Sequence, residues 1–506
     1  MLPGLALEDG IPASLRTLVV VPTLLTNVSD MREQIEGLEV HYLSGTHGHV
    51  SFALLTDGVD APHQNLPGDA ALVELIDKEI ARLNTLYGSA PSGVRFLHLH
   101  RQRRYNPVEK LWMGWERKRG KLQELNRLLR GAEDTDYRTP DGGTPAIPPD
   151  VRYVLTLDSD TRMPRDTVRW LIGKMAHPLN RPVIDPALRR VRAGHAILQP
   201  RVTPAMPAER RGSAFQYATS GPGGMDPYAA AASDIYQDLF GEGCFTGKGI
   251  YDLDAFETVM ARRVPENTLL SHDLLEGIFA RAGLASDVEL VESFPDRQDL
   301  AARRIHRWCR GDWQLLPWLG PQGGLGALGR LKVLDTLRRS LLAPATLVTL
   351  ALGWFLPGPA AILVTALVLA ILMLPSFLHA AVSAVPHRAG IHLRTHLRLM
   401  REDLALALLQ TGLAAAFLAD ASWRSLDAIT RTLWRLLVSR RHLLQWTTAA
   451  SLAAAPRPDL GGFVRAMAPG TTLGLTLAGM AAVAAPASLP LILPFAGLWL
   501  SAPFIA

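Results

Sequence analysis

At 506 residues the chain exceeds one ordinary domain, and its 48% hydrophobic against 20% charged content is unevenly spread, with the polar residues mostly in the first two thirds. A net charge of +5, with arginines clustered beside apolar runs, points to the cytoplasmic side of a membrane and argues against a nucleic acid partner. Two cysteines, Cys244 and Cys309, make no disulfide framework and fit a reduced compartment.

The first 330 residues alternate short β-rich runs with amphipathic helical patterns, which predicts an α/β domain with a largely parallel sheet. The strand candidates are "LRTLVVVPTLL", "HVSFALLTD", "VRFLHLH", "RYVLTLD", "GHAILQPRV" and "DVELVESFP". Between the second and third, Leu72, Ile76, Ile80 and Leu83 recur at helical spacing and predict one buried face.

Ligands of such sheets collect at the carboxyl ends of the strands, where Asp57 closes the second candidate. "KRGKLQELNRLL" puts Gly120 and Lys121 at the start of a helix ending near Arg130, where a lysine and free N–H groups could hold a diphosphate. The Pro- and Gly-rich stretch 137–150 reads as a surface loop. After it, "RYVLTLDSDTRMP" ends an apolar strand in Asp158 and Asp160. Two carboxylates on one strand end repel unless a cation lies between them, and a divalent metal is the obvious candidate.

"GEGCFTGKGIYD" places Phe245, Gly247 and Gly249 in a loop whose small residues would let backbone approach a ligand. A second paired-acid stretch, Asp252 and Asp254, precedes a helical pattern, and capping by Asp254 accounts for it. "SHDLLEG" sets Asp273 in the first turn of a helix. "RRIHRWCRGDWQ" gathers Arg304, Arg307, Arg310, Trp308 and Trp313 on one helix, which suits a sugar ring beside a phosphate or an amphipathic surface against a membrane.

"GPQGGLGALG" reads as a flexible joint between a domain at 1–325 and a membrane region at 326–506. In that region we expect a hairpin at 341–382, an interfacial or re-entrant helix at 404–419, an amphipathic helix at 423–447 and a second hairpin at 467–506. Leu426, Ile429 and Leu433 would form the membrane-facing side of the amphipathic helix. No signal peptide is seen before the first strand, and the chain stops at Ala506 inside an apolar run, as a piece of a longer protein would.

The order Asp57, Gly120-Lys121, Asp158-x-Asp160, Phe245-x-Gly247-x-Gly249, Asp273, Arg307-Trp308 resembles the processive inverting glycosyltransferases of GT-A fold. The stretches "RTLVVVPTLLT", "WMGWERKRGKLQELN", "RRIHRWCRGDWQ" and "SRRHLLQWTTAA" are similar to the glycosyltransferase (family 84) region of cyclic β-1,2-glucan synthases over nearly the whole chain. The resemblance implies a GT-A domain, Rossmann-like and cytoplasmic, on a bacterial inner membrane, followed by transmembrane and interfacial helices. It also implies UDP-glucose as donor, Mg2+ or Mn2+, a growing β-1,2-glucan chain, contact with membrane lipid and further domains of a longer synthase. In it Asp57 meets the uridine, Lys121 the nucleotide, Asp160 the metal with Asp158 nearby, Asp273 the acceptor hydroxyl, and Arg307 with Trp308 the diphosphate and acceptor sugar. Arg304 stands where the relatives carry glutamine, and its role stays open. A carboxylate must take the proton of the attacking hydroxyl, and Asp273 is the acid with no other task. The alternatives are a synthase of another β-glycan, a nucleotide-binding membrane scaffold without transferase activity, and a metal-dependent nucleotidyltransferase.

Overall fold

The computed structural model describes residues 1–139, 141–205, 213–219, 234–383, 392–446 and 458–506. The chain opens with β1 (Thr17–Leu25), α1 (Val28–Leu43), β2 (Val50–Gly58), α2 (Asp69–Tyr87) and β3 (Phe96–Arg101). A ribbon of β4 (Arg104–Asn106) and β5 (Leu111–Met113) leads to α3 (Arg117–Leu128), then β6 (Tyr153–Thr156), β7 (Thr161–Arg162) and α4 (Thr167–Ala176). A second ribbon, β8 (Val183–Asp185) and β9 (Arg190–Ala193), precedes β10 (Ile197–Pro204), α5 (Ala214–Thr219), α6 (Ile235–Phe240) and β11 (Gly249–Asp252). After α7 (Leu253–Met260), α8 (Asp273–Phe279), β12 (Ala282–Glu292) and α9 (Gln298–Trp313) the helical region begins.

Eight strands form one mixed sheet in the order β3-β2-β1-β6-β11-β10-β12-β7. β3, β2, β1 and β6 are parallel, β11 runs against both its neighbours, and β10 and β12 are parallel again. β1 is apolar without alternation because both faces of a central parallel strand are covered. Its side chains still alternate: Leu18 and Val20 enter the core with Leu125, Leu128 and Leu275, while Val19 and Val21 enter the other with Met31, Ile35, Ile76 and Ile80. Of the helical face expected at Leu72, Ile76, Ile80 and Leu83, the last three are buried in α2 and Leu72 is partly buried against the same core.

The expected fold class is present, a Rossmann-like mixed sheet followed by an all-α region. That region holds α10 (Ala327–Trp354), α11 (Gly358–Ser383), α12 (Leu393–Trp434), α13 (Leu460–Ala484) and α14 (Leu489–Ile505). Among the described residues the stretches Gly358–Leu378, Leu393–Ser439, Leu460–Ala484 and Pro486–Ile505 are long and apolar enough to cross a membrane. Small residues let these helices close up, as they must where the solvent is as apolar as the side chains. A β-carbon on Gly470 would lie 2.5 Å from Asp420 Cα, and one on Gly474 2.9 Å from Ala419 Cβ.

Three expectations need correcting. The joint at 320–329 is packed, not loose: Gly323 and Leu325 are buried, and Val333 and Leu337 of α10 belong to a core of the sheet domain. Lys332, 2% exposed, donates to Glu242 Oε1 and the carbonyls of Glu242 and Gly243, pinning α10 to that domain. Second, 404–419 and the first half of 423–447, as far as Trp434, lie on one continuous helix, so a re-entrant turn between them is absent. Third, Ile429 packs with Cys309 of α9 and Leu433 with that same cluster, while Leu426 remains exposed. Residue 447 lies outside the described residues.

Although α12 is apolar enough to span and packs through Ala415, Leu418 and Ala419 against the other long helices, it also touches the sheet domain from Gln410 onward. Gln410 donates to the Ala218 carbonyl, Phe417 packs with Phe215, and Asp427 pairs with His306. A helix in contact with the same domain over 410–427, about 26 Å of rise, would be expected to lie along a membrane surface rather than through it. Cysteines placed at Arg394 and Arg440 should therefore label from one and the same side of sealed vesicles. Labelling from opposite sides would mean that α12 crosses.

Candidate active site

β6 ends in a tight turn in which Thr161 N–H donates to the Asp158 carbonyl and the Asp158 N–H donates to Thr161 Oγ1. β7 then pairs with the end of β12, Thr161 opposite Glu292, and this brings a third carboxylate to the turn. One oxygen each from Asp158, Asp160 and Glu292 lie within 4.8 Å of one another. Lys118 Nζ donates to Asp158 Oδ1 at 2.5 Å and to the Gly247 carbonyl at 2.9 Å. Lys248 Nζ lies 3.2 Å from Asp158 Oδ2 and 2.6 Å from Glu292 Oε2, and Arg304 Nη2 is 3.3 Å from Glu292 Oε1.

Asp160 is the member of this centre with no ion pair among the described residues. Burial, Glu292 and Asp158 push its carboxyl up to about 6. Burial acts the same way on Asp158, but Lys118 and Lys248 overcome it and hold that carboxyl well below the usual range. A hard divalent cation with oxygen ligands fits this donor set, because it would relieve the one carboxylate that the lysines leave unpaired.

Across the Gly247 loop stands Asp273 in the first turn of α8. Gly247 has φ +85°, and a β-carbon there would lie 2.6 Å from Asp273 Oδ1, so glycine is required for the backbone and for the close approach alike. Burial raises the Asp273 pKa, against the pull of His272 and Lys118. His272 Nδ1 is 2.7 Å from Glu276 Oε1 and 3.6 Å from Asp273 Oδ1, the shorter approach lying out of line for a hydrogen bond. Burial lowers the imidazole pKa, yet these two carboxylates raise it on balance.

The third wall is α9. The Arg304 guanidinium stacks 4.6 Å from the centre of the Trp308 ring, one helical turn on, and also reaches Glu292. Arg307 feels Asp158, Asp160 and Asp273 together, and its guanidinium lies 5.5 Å from the Trp446 ring centre. Trp446 arrives on a strap held by Glu109, which accepts from Leu444 N–H, and by Gln314 and Arg117, which donate to the carbonyls of Leu443 and Leu444. Arg310 donates to the Gln445 carbonyl of this strap, and Trp313 turns away to Ser340.

Asp158, Asp160, Gly247, Asp273, Arg304, Arg307 and Trp308 are thus brought to one place, and five other sequence candidates are not. Asp57 is buried with both oxygens taken by Arg101 at 2.8 Å, and Lys121 Nζ lies 3.3 Å from Asp57 Oδ2 and 2.6 Å from the Thr23 carbonyl. Burial, outweighing Asp57, lowers Lys121 to about 8. The helix begins at Arg117, so Gly120 sits a turn inside it with its N–H bonded to the Glu116 carbonyl, and its N–H is not free for a phosphate. Phe245 is a core residue, and Gly249 is small because a β-carbon would lie 2.3 Å from the Leu198 carbonyl of β10. In the second acid pair the cap is Asp252, accepting from Ala255 N–H, while Asp254 pairs with Arg130.

The Asp57 pair carries its own prediction. Arg101→Leu leaves a buried carboxylate without its bidentate partner, and breaking such a pair costs about 3–5 kcal/mol. The sheet domain's thermal midpoint should fall clearly, whereas an unchanged midpoint would mean that Lys121 alone suffices.

Lys118, Lys248 and Glu292 are the members of the centre that sequence reasoning missed. Glu292 ends a strand, as Asp57 and Asp158 nearly do, and that shared position was the available signal. Lys118 lies three residues before Lys121 on the same helix, one turn closer to the centre.

A mixed sheet with an acidic centre at its carboxyl edge is thus joined to helices long and apolar enough to cross a membrane. Over 509 aligned residues, the whole of this chain, the sequence is 45% identical to cyclic beta-(1,2)-glucan synthase NdvB of Rhizobium meliloti (strain 1021). The chain is related to one segment of that synthase and spans 18% of its length. No family model matches the chain. A mannosyltransferase from Pyrobaculum calidifontis, solved in complex with GDP-Man and Mn2+, is a distant likeness with a TM-score of 0.37 and 14% identity, covering 84% of this chain and 90% of that one.

Proposed function

We propose that the chain transfers glucose from UDP-glucose to the end of a β-1,2-glucan with inversion at the anomeric carbon, as the polymerising segment of a longer cyclic glucan synthase. It does so on the cytoplasmic face of a bacterial inner membrane. The observation that carries the reading is the pairing of two unlike acidic sites across Gly247: a cluster of three carboxylates in which Asp160 has no ion pair among the described residues, and a separate, partly buried carboxylate, Asp273, whose oxygen is 2.6 Å from where a Gly247 β-carbon would be.

The chemistry divides between them. A sugar hydroxyl is a poor nucleophile at neutral pH, so a positioned base must take its proton as the new bond forms. Asp273 is placed for this, with its pKa raised toward the working range and no lysine in an ion pair with it among the described residues. Loss of UDP puts negative charge on the diphosphate, and Arg307, Arg304 and Lys118, which stand beside the acidic centre, would stabilise it. Asp160, with Asp158 and Glu292, would hold the Mg2+ or Mn2+, which when bound supplies further electrostatic stabilisation of the leaving diphosphate. Trp308 and Trp446 offer flat faces for a sugar ring.

Membranes carrying this chain should release UDP from UDP-glucose in a divalent-ion-dependent way and prefer it to other sugar nucleotides. Binding of UDP without any turnover would instead mark a scaffold, and preference for a different donor would mark a synthase of another glycan.

A further inference from the structure

Lys248 occupies the middle of the acidic centre. It is 5% exposed, and its ammonium bridges two of the three carboxylates proposed to hold the divalent ion, at 2.6 Å from Glu292 Oε2 and 3.2 Å from Asp158 Oδ2. The side chain is delivered from a fixed backbone: Gly247 is wedged against Asp273 and Gly249 against the Leu198 carbonyl, on either side of it. Lys118 and Arg304 complete a balance of three carboxylates against three cations.

That balance decides what can enter. A bare dication would add two positive charges to a neutral centre and must also displace Lys248 from two ligands. A dication arriving with a diphosphate adds almost no net charge, and the displaced ammonium gains phosphate oxygens as new partners. We propose that Lys248 is the resident counter-cation of the acidic centre and makes divalent-ion binding conditional on a nucleoside diphosphate. The inference rests on the metal reading above. It makes Lys248 a positioning residue that keeps the centre charged and folded between turnovers.

The test is Mn2+ affinity, read from the electron paramagnetic resonance signal of free Mn2+, with and without UDP, in the parent, Lys248→Met and Lys248→Arg. In the parent, UDP should tighten Mn2+ binding at least about fivefold, the low end of ordinary coupling between sites. Lys248→Met should bind Mn2+ alone at least about fivefold more tightly than the parent, with little further gain from UDP, and Lys248→Arg should keep the parental pattern. If Lys248→Met does not fold, Lys248→Gln removes the same charge and carries the same expectation. Equal or weaker Mn2+ binding by a folded charge-removing variant overturns the inference while leaving the metal reading standing. No Mn2+ binding by the parent, with or without UDP, overturns both.

Discussion

Asp273→Asn should slow glucose transfer at least about a hundredfold while leaving UDP-glucose and metal binding nearly unchanged, since a positioned base contributes roughly 100- to 10,000-fold. Asparagine keeps the shape beside Gly247, so the loop has no reason to move. Lys118 and Lys248 remain paired with Asp158, and the acidic centre keeps its charge. The loss should therefore fall on the rate of transfer and not on donor affinity. Glu276 lies behind His272 rather than in the open centre, so Glu276→Gln should cost much less. Transfer within a few-fold of the parent in Asp273→Asn would reduce Asp273 to a residue of its helix start, and Glu276 would be the next base to examine.

Asp160→Asn should abolish divalent-ion-dependent UDP-glucose binding without lowering the thermal midpoint. The second half of that expectation separates a ligand from a structural residue. Asp160 has no ion pair to lose among the described residues, and burial beside Glu292 and Asp158 makes its charge unfavourable in the absence of a cation. Glu292→Gln should behave differently, because it strips a partner from both Lys248 and Arg304 and should lower the midpoint as well. The pH dependence follows from the same geometry. A protonated carboxyl is a poor ligand, and with Asp160 at about 6, Mn2+ affinity should weaken as pH falls through that value. Equal UDP-glucose affinity of the parent with and without a chelator would remove the role assigned to Asp160.

The strands were legible in the sequence because each is an apolar run closed by turn residues, and the acidic turn because two carboxylates one residue apart on a strand end have few structural explanations. What the sequence did not show is which side chains meet across it. Glu292 reaches Asp160 only through the antiparallel pairing of β7 with β12, a two-residue strand too short to leave a periodic pattern. Lys118 and Lys121 share one helix and cannot be ranked by spacing alone. Their division follows from where α3 crosses the sheet, which sends Lys121 beneath to Asp57 and Lys118 forward to Asp158. The glycines split in the same way. Gly247 faces Asp273, whereas Gly249 is a sheet contact, and a sequence shows only that both are small.

The helical region illustrates a different limit. Apolar residues at 3.6-residue spacing mark a covered face but not what covers it. Ile429 and Leu433 form the face predicted for them, and α9 of the sheet domain covers it in place of lipid. Val333 and Leu337 fall inside the stretch from 326 assigned to the membrane region and are part of the sheet domain's core. Basic residues next to apolar runs supported a membrane surface in both places, and the structure adds that this surface is shared with protein.

The central claim is that this chain builds a β-1,2-linked glucan from UDP-glucose. Its most direct test is the glycosidic linkage, read by NMR, in the polymer that membranes bearing the chain make from UDP-[13C]glucose and Mn2+ or Mg2+. The account predicts β-1,2 linkages, with product absent when a chelator is added. A product of any other linkage, or UDP-glucose left intact by folded, membrane-inserted protein, would contradict it.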